Sequence, residues 1–222
     1  MNKAHLTMTT RELRHIVAAT LPAVSKDEVT PSLTAALFTL DAGRLTLTGT
    51  DRYRVHRVRG KYNGSKAGEF LVPRDALEWV VKNAGFFRRR STVEPVARVD
   101  FAYELGAFKS PGGTVTITLA EHEHAGAPSL SYSLPLIQAN FPPVHRLVEK
   151  ALELTPEPCS GHVSLDLLAD AKKIARDRHE GGNLRIVQPN PGSTKPGQML
   201  VTFEFGEALL QLMEDPAKDS RS

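Results

Sequence analysis

Residues 45–60 read LTLTGTDRYRVHRVRG. Alternation at Leu45 and Leu47 and again across 53–59 predicts two strands, and they meet at a polar corner, Gly49-Thr50-Asp51-Arg52. Five basic residues crowd that corner: Arg52, Arg54, His56, Arg57 and Arg59. Charge concentrated at a strand turn can serve catalysis, contact nucleic acid, or simply be solvated surface. The rest of the chain has to decide among these.

Working outward, three helices are predicted. In MTTRELRHIVAATL, Thr9 or Thr10 caps and Leu13, Ile16, Val17 and Leu21 share a face. In VPRDALEWVVKNAG, Pro73 suits the first turn, Leu77, Val80, Val81 and Ala84 form the stripe, and Gly85 ends it. In VSLDLLADAKKIARDRHEGG, Ser164 caps, Leu167, Leu168, Ala171, Ile174 and Ala175 pack, and Gly181-Gly182 stops the helix. When Leu13, Leu77 and Leu168 are aligned, Met8, Val72 and Val163 all fall five positions upstream, and an acid (Glu12, Asp75, Asp166) sits in each first turn. Between the helices the sequence turns to period-2 alternation, as at Leu45/Leu47, Val115/Ile117/Leu119 and Leu130/Tyr132/Leu134, and further strands are expected at 33–40, 53–59, 96–104, 183–188, 199–205 and 207–213. The chain therefore reads as one strand–helix–strands module used three times, beginning near residues 5, 69 and 162. It is an internal repeat of α+β character.

The totals exclude several classes. The 222 residues are 41% hydrophobic and 24% charged, which suits a globular chain. No apolar run approaches a membrane span, and MNKAHLTMTTREL carries no secretory signal, so a cytoplasmic location is expected. The one cysteine, Cys159, reads as a reduced thiol. Net charge is +3, permitting an anionic partner without requiring one. Basic clusters at Arg52–Arg59, Arg88-Arg89-Arg90 and Lys172-Lys173-Arg176-Arg178 suit a surface that follows a phosphate backbone, or are ordinary solvated charge. Catalytic signals are poor. His122 and His124 in EHEH lack a third ligand, DRHEGG at 177–182 reads as a helix end, PGSTKPG at 191–197 has the wrong spacing for a phosphate loop, and neither GxSxG nor GxGxxG occurs. No cofactor or metal is expected.

Four stretches together resemble the bacterial DNA polymerase III beta subunit family, the DNA sliding clamps. Gly49-Thr50-Asp51-Arg52-Tyr53-Arg54-Val55 is similar to the family's A-T-D-G-[HY]-R-L, with Arg52 in place of glycine. Phe70-Leu71-Val72-Pro73-Arg74 matches its V-P-[RK] at a helix start. Leu136 to Arg146 is similar to L-I-x-G-x-F-P-D-Y-x-R, with Pro143 in place of aspartate. Leu167 to Ile174, Lys195-Pro196 and Gln211-Leu212-Met213-Glu214 follow the order of its last half-domain, with Glu214 in place of proline.

The resemblance implies a DNA-clamp fold, helices packed on antiparallel sheets, of about one and a half clamp domains. Residues 1–150 would be a complete domain like the family's middle one, 151–161 a linker, 162–215 a half domain like the end of its last, and 216–222 a tail. It implies a non-enzymatic processivity factor that encircles duplex DNA without sequence preference, tethers a DNA polymerase and is handled by a clamp loader. Twelve such modules line the family's ring, so four copies of this chain would supply them. Self-association is expected in any case, because a half domain leaves a sheet edge open. The implied DNA-facing residues are Arg11, Arg14, Lys82, Lys172, Lys173 and Arg176, with Lys26 in a second tier. The implied partner-peptide groove has Leu33, Thr50, Tyr53, Arg54, Val55, Pro142, Leu147 and Met213 as walls. The shortened form leans toward a phage, acting in the bacterial cytoplasm of an infected host. A clamp relative that binds clamp partners without closing a ring (a decoy, regulator or adaptor) is the alternative. An enzyme using His122 and His124 is the third reading.

Overall fold

The computed structural model describes residues 2–65, 67–87, 94–124, 126–155, 162–177, 179–188 and 197–213. Arg88-Arg89-Arg90, Cys159, Arg178, Lys195-Pro196, Glu214 and the 216–222 tail lie outside the described residues.

The first module is β1 (Asn2–Thr9), α1 (Thr10–Thr20), β2 (Ala35–Asp41), β3 (Arg44–Thr50) and β4 (Arg54–Lys61), with a short β5 (Asn63–Gly64) after it. The second is β6 (Ala67–Pro73), α2 (Arg74–Asn83), β7 (Val96–Glu104), β8 (Gly112–Ala120) and β9 (Ser129–Pro135). After α3 (Val144–Glu153) the third supplies α4 (Leu165–Ala171), β10 (Asn183–Val187), β11 (Gln198–Phe203) and β12 (Gly206–Gln211). Two antiparallel sheets result among the described residues, ordered β5-β1-β7-β8-β9 and β10-β11-β12-β4-β3-β2-β6.

The ladder registers make the repeat quantitative. Residues Leu37, Thr48 and Arg57 stand abreast on the second, third and fourth strands of module one. Their counterparts are Arg98, Thr118 and Ser131 in module two, and Asn183, Thr202 and Glu207 in module three. In modules one and two the first strand meets the chain just past the fourth, Thr7 with Asn63 and Leu71 with Ile137, and in module three His162 bridges Met213 at the corresponding place. Modules one and two then exchange first strands, Thr7 opposite Arg98 and Leu71 opposite Leu37. That exchange makes one closed unit around the main core, where Leu6, Leu13, Phe38, Phe70, Leu77 and Phe101 are fully or almost fully buried.

Module three joins differently. Its fourth strand, β12, pairs antiparallel with β4, Glu207 directly opposite Arg57. Gly206 permits this approach, since a Cβ there would fall 2.3 Å from the Arg57 carbonyl oxygen. The strand faces divide the work. Val58 and Gly60 point to α1, and a Cβ at Gly60 would sit 2.3 Å from Ile16 Cδ1. Val55 points the other way, into a second core with Leu200, Leu209, Val144, Val148 and Ala151.

Two elements differ from the sequence reading. Helix α3 was not expected, and the boundary drawn at residues 150/151 falls within it. The third helix stops at Ala171, followed by one 3₁₀ turn over Lys172–Ile174, rather than continuing to Gly181-Gly182. The Glu180 carboxylate takes the Arg176 N–H at 2.7 Å, a local side-chain bond that replaces the next helical one. Ser164 stands at the N-cap without a side-chain cap bond, whereas Thr9 accepts from the Glu12 N–H at 3.1 Å.

The basic strand now has its partners. Arg57 Nε donates to Glu207 at 2.9 Å and Arg59 Nη1 to the same carboxylate at 2.7 Å, while Arg57 also reaches Glu149 of α3 at 3.4 Å. Replacing Glu207 by alanine leaves the buried Arg57 with only the longer contact to the half-exposed Glu149. A loss of about 3–5 kcal/mol is expected in urea denaturation, with much of it recovered when Arg57→Met is added to Glu207→Met.

Candidate functional site

The Thr50-Asp51 corner is built by its own side chains. Asp51 accepts the N–H groups of Tyr53 and Arg54, both at 3.1 Å, and the Arg54 guanidinium at 2.8 Å. Thr50 Oγ1 donates to the Arg54 carbonyl at 2.8 Å. Arg52 has φ +80°, a left-handed conformation that favours glycine, and its guanidinium is held by Thr30 Oγ1 at 2.5 Å. Arg54 also reaches Asp170 of α4 at 2.6 Å, tying the third module to this corner. Burial raises the Asp170 carboxyl, but Lys173 and Arg54 outweigh it and hold the group below the usual carboxylate range.

Beside the corner lies a cavity of about 320 Å³. The structure gathers seven of the expected groove residues around it: Leu33, Thr50, Tyr53, Arg54, Val55, Pro142 and Leu147. Leu33 and Val55 are buried and serve core and wall together, while Tyr53 and Leu147 are exposed at its mouth. Met213 is placed elsewhere. The chain turns away after Gln211 so that Met213 can pair with His162. The sequence reading missed Thr30, Arg52, Val144, Gln198, Leu209 and Gln211 as walls. Val144 and Leu147 share a helical face of α3, and Leu209 and Gln211 alternate on β12, so both patterns were present in the sequence without an assigned surface.

Helices α1 and α2 pack against each other, and the turn after α4 packs on the other flank of α1. Arg11, Arg14, Lys82, Lys172, Lys173 and Arg176 are all exposed on this helical layer. Their charges are not equally available. Lys173 pairs with Asp170 at 2.6 Å. Arg176 pairs with Glu12 and lies 3.6 Å over the Phe205 ring, and Lys172 donates to the Glu180 carbonyl. Arg14 Nε donates to the Val81 carbonyl at 3.3 Å, linking α1 to α2. Arg11 and Lys82 make no ion pair among the described residues. Lys26 is exposed in the loop between α1 and β2. His122 and His124 stand 5.4 Å apart, and no His, Cys, Asp or Glu group able to hold a metal occurs among the described residues. No helix among them is long and apolar enough to cross a membrane.

No protein-family model matches the chain, and no curated protein does. Solved structures do. The chain is similar to the DNA polymerase sliding clamp of Bacillus subtilis, with TM-score 0.62, 14% identity, and 95% of this chain and 64% of that one covered. It is similar to DNA polymerase III beta subunit of Thermotoga maritima, with TM-score 0.62, 14% identity, and 99% and 68% covered. It is also similar to the Pseudomonas aeruginosa sliding clamp, with TM-score 0.62, 13% identity, and 96% and 67% covered. The fold is thus a DNA-clamp fold, and the chain spans about two thirds of the length of these clamps.

Behind the corner, His56 is fully buried and its Nδ1–H donates to the Ala19 carbonyl at 2.7 Å. Burial pushes its pKa down to about 4, Arg54 adds to the effect, and the Ala19 bond opposes it. The unfolded chain takes up a proton near pH 6.5 that the folded chain refuses until about pH 4. Stability should therefore fall by about 3 kcal/mol as pH drops through that window. In urea titrations at pH 7 and pH 4.5, His56→Gln should flatten this dependence.

Proposed function

We propose that this chain is a subunit of a DNA sliding clamp, a non-catalytic processivity factor that closes with further copies into a ring around duplex DNA. It acts in the bacterial cytoplasm and tethers a DNA polymerase through the groove beside Thr50-Asp51. The observation that carries the reading is the layer formed by α1, α2 and the turn after α4, a helical surface within a clamp fold on which six basic side chains are exposed among the acids Asp75, Glu78 and Asp166. A ring need not grip, because topology retains it. A few mobile charges suffice to attract phosphates without locking to any one. Arg11, Arg14 and Lys82 fit that task best, since Lys173 and Arg176 are already ion-paired.

Two outcomes test this. On closed circular DNA the protein should persist, and linearising the circle should release it. Equal retention on both forms would favour the alternative, a clamp-like module that binds replication proteins without encircling DNA. Replacing Arg11, Arg14 and Lys82 by alanine should make the plot of log affinity against log salt shallower, by roughly 0.9 for each phosphate no longer neutralised. Lys173→Ala should change it less.

The groove has the dimensions and mixed lining of a site for an extended peptide. Leu147 is 47% exposed, so Leu147→Ala should fold normally. It should weaken binding of a polymerase-derived peptide by about tenfold in calorimetry, while Met213→Ala leaves it unchanged.

A further inference from the structure

One charge at the groove has no counter-charge. Two guanidiniums line the cavity, those of Arg52 and Arg54, and no acidic residue lines it. Arg54 is neutralised from behind, by Asp51 at 2.8 Å and Asp170 at 2.6 Å. Arg52 is exposed, and among the described residues its guanidinium has only the Thr30 hydroxyl as a hydrogen-bond partner. Asp27 and Glu28 stand on the loop that carries Thr30 without forming an ion pair with it, and Asp27 is engaged with the Val29 N–H at 3.0 Å.

The corner does not need the Arg52 side chain. Asp51 holds the turn through the Tyr53 and Arg54 N–H groups, and Thr50 Oγ1 takes the Arg52 N–H at 3.3 Å. At φ +80° a glycine would serve the same turn without the steric cost that a side chain brings. A residue held in that conformation at the lip of a cavity, its side chain unused by the turn, marks a functional position.

Its surroundings define what it can hold. The cavity walls cross four adjacent strands, from Gln198 on β11, over Leu209 of β12 and Val55 of β4, to Thr50 on β3. Three strand spacings make roughly 14 Å, the reach of about four extended residues. The middle of that span is aliphatic, with Leu33, Val55, Val144, Leu147 and Leu209. One end offers the amides of Gln198 and Gln211, the other the Arg52 cation beside Thr30. A phosphate backbone would leave the aliphatic walls unfilled, whereas apolar peptide side chains fill them. Because Arg52 is exposed at the lip, a bound segment can run on past it, and the matching group is a side chain within the segment rather than a chain end.

Resting on the peptide-groove reading above, we propose that Arg52 selects the occupant. That occupant is a short extended peptide with apolar side chains over the aliphatic walls and an aspartate or glutamate at the Thr30 end, its carboxylate paired with the Arg52 guanidinium. Such a pair is stronger and more directional than the contact with a lone hydroxyl.

The test measures, by calorimetry, the affinity of the full chain for acetylated, amidated hexapeptides, so that no terminal charge competes. Each carries two leucines, one glutamate walked through the other positions, and serine elsewhere, and each has a glutamine twin. In the best-bound register the glutamate peptide should bind about tenfold more tightly than its twin. The gap should narrow as salt is raised. Arg52→Gly should abolish the difference between the twins. Arg52→Glu should reverse it, binding the lysine version of the peptide more tightly than the glutamate version. Glycine suits φ +80°, so Arg52→Gly keeps the corner folded, and its thermal midpoint checks this. Leu147→Ala should weaken both twins alike. Twins that bind wild type equally, or a preference that survives Arg52→Gly, would overturn the role of Arg52 and leave the groove standing. Binding of no peptide, or binding insensitive to Leu147→Ala, would remove the peptide groove and this inference with it.

Discussion

The pairing of β4 with β12 is the contact on which the rest of the molecule depends. It merges the third module into a sheet of the closed unit, and at its centre one carboxylate, Glu207, serves two guanidiniums. Charges so thoroughly desolvated hold only when matched, so the joint is specific before it is strong. Everything on the flank follows from it. Helix α3 has strands to cover on both sides of the joint, α4 is anchored through Arg54 and Asp170, and the groove exists because Val55, Leu209 and Val144 are brought to one place.

Strands β3, β7, β8 and β9 were legible from period-2 alternation, and Leu45/Leu47 or Val115/Ile117/Leu119 leave little choice of face, whereas β2, β11 and β12 carry consecutive buried residues and read only as apolar runs. Helix α1 was legible from its cap and stripe. Helix α3 was hidden by its neighbours: Pro142 and Pro143 precede it, Pro156 and Pro158 follow, and its buried face is only Val144, Val148 and Ala151. Helix α4 was read as too long because the apolar spacing continues through Ala175, whereas the side chain of Glu180 ends it from outside the pattern.

The charge at the opening corner illustrates the other limit. Arg57 and Arg59 find their carboxylate 150 and 148 residues away, a relation that spacing cannot express. The groove walls at Thr50, Tyr53, Arg54 and Val55 were accessible through resemblance, since short motifs keep their order even at 14% identity or less. Gln198 and Gln211 were not, because they reach the cavity only through the β11–β12 hairpin.

Four charges of alternating sign stand in line from the cavity to the helical layer: Asp51, Arg54, Asp170 and Lys173, each within 2.8 Å of the next. The charge at one end is therefore felt at the other. A carboxylate entering the cavity and drawing the Arg54 guanidinium toward itself would weaken the hold of Arg54 on Asp170 and leave that group more to Lys173.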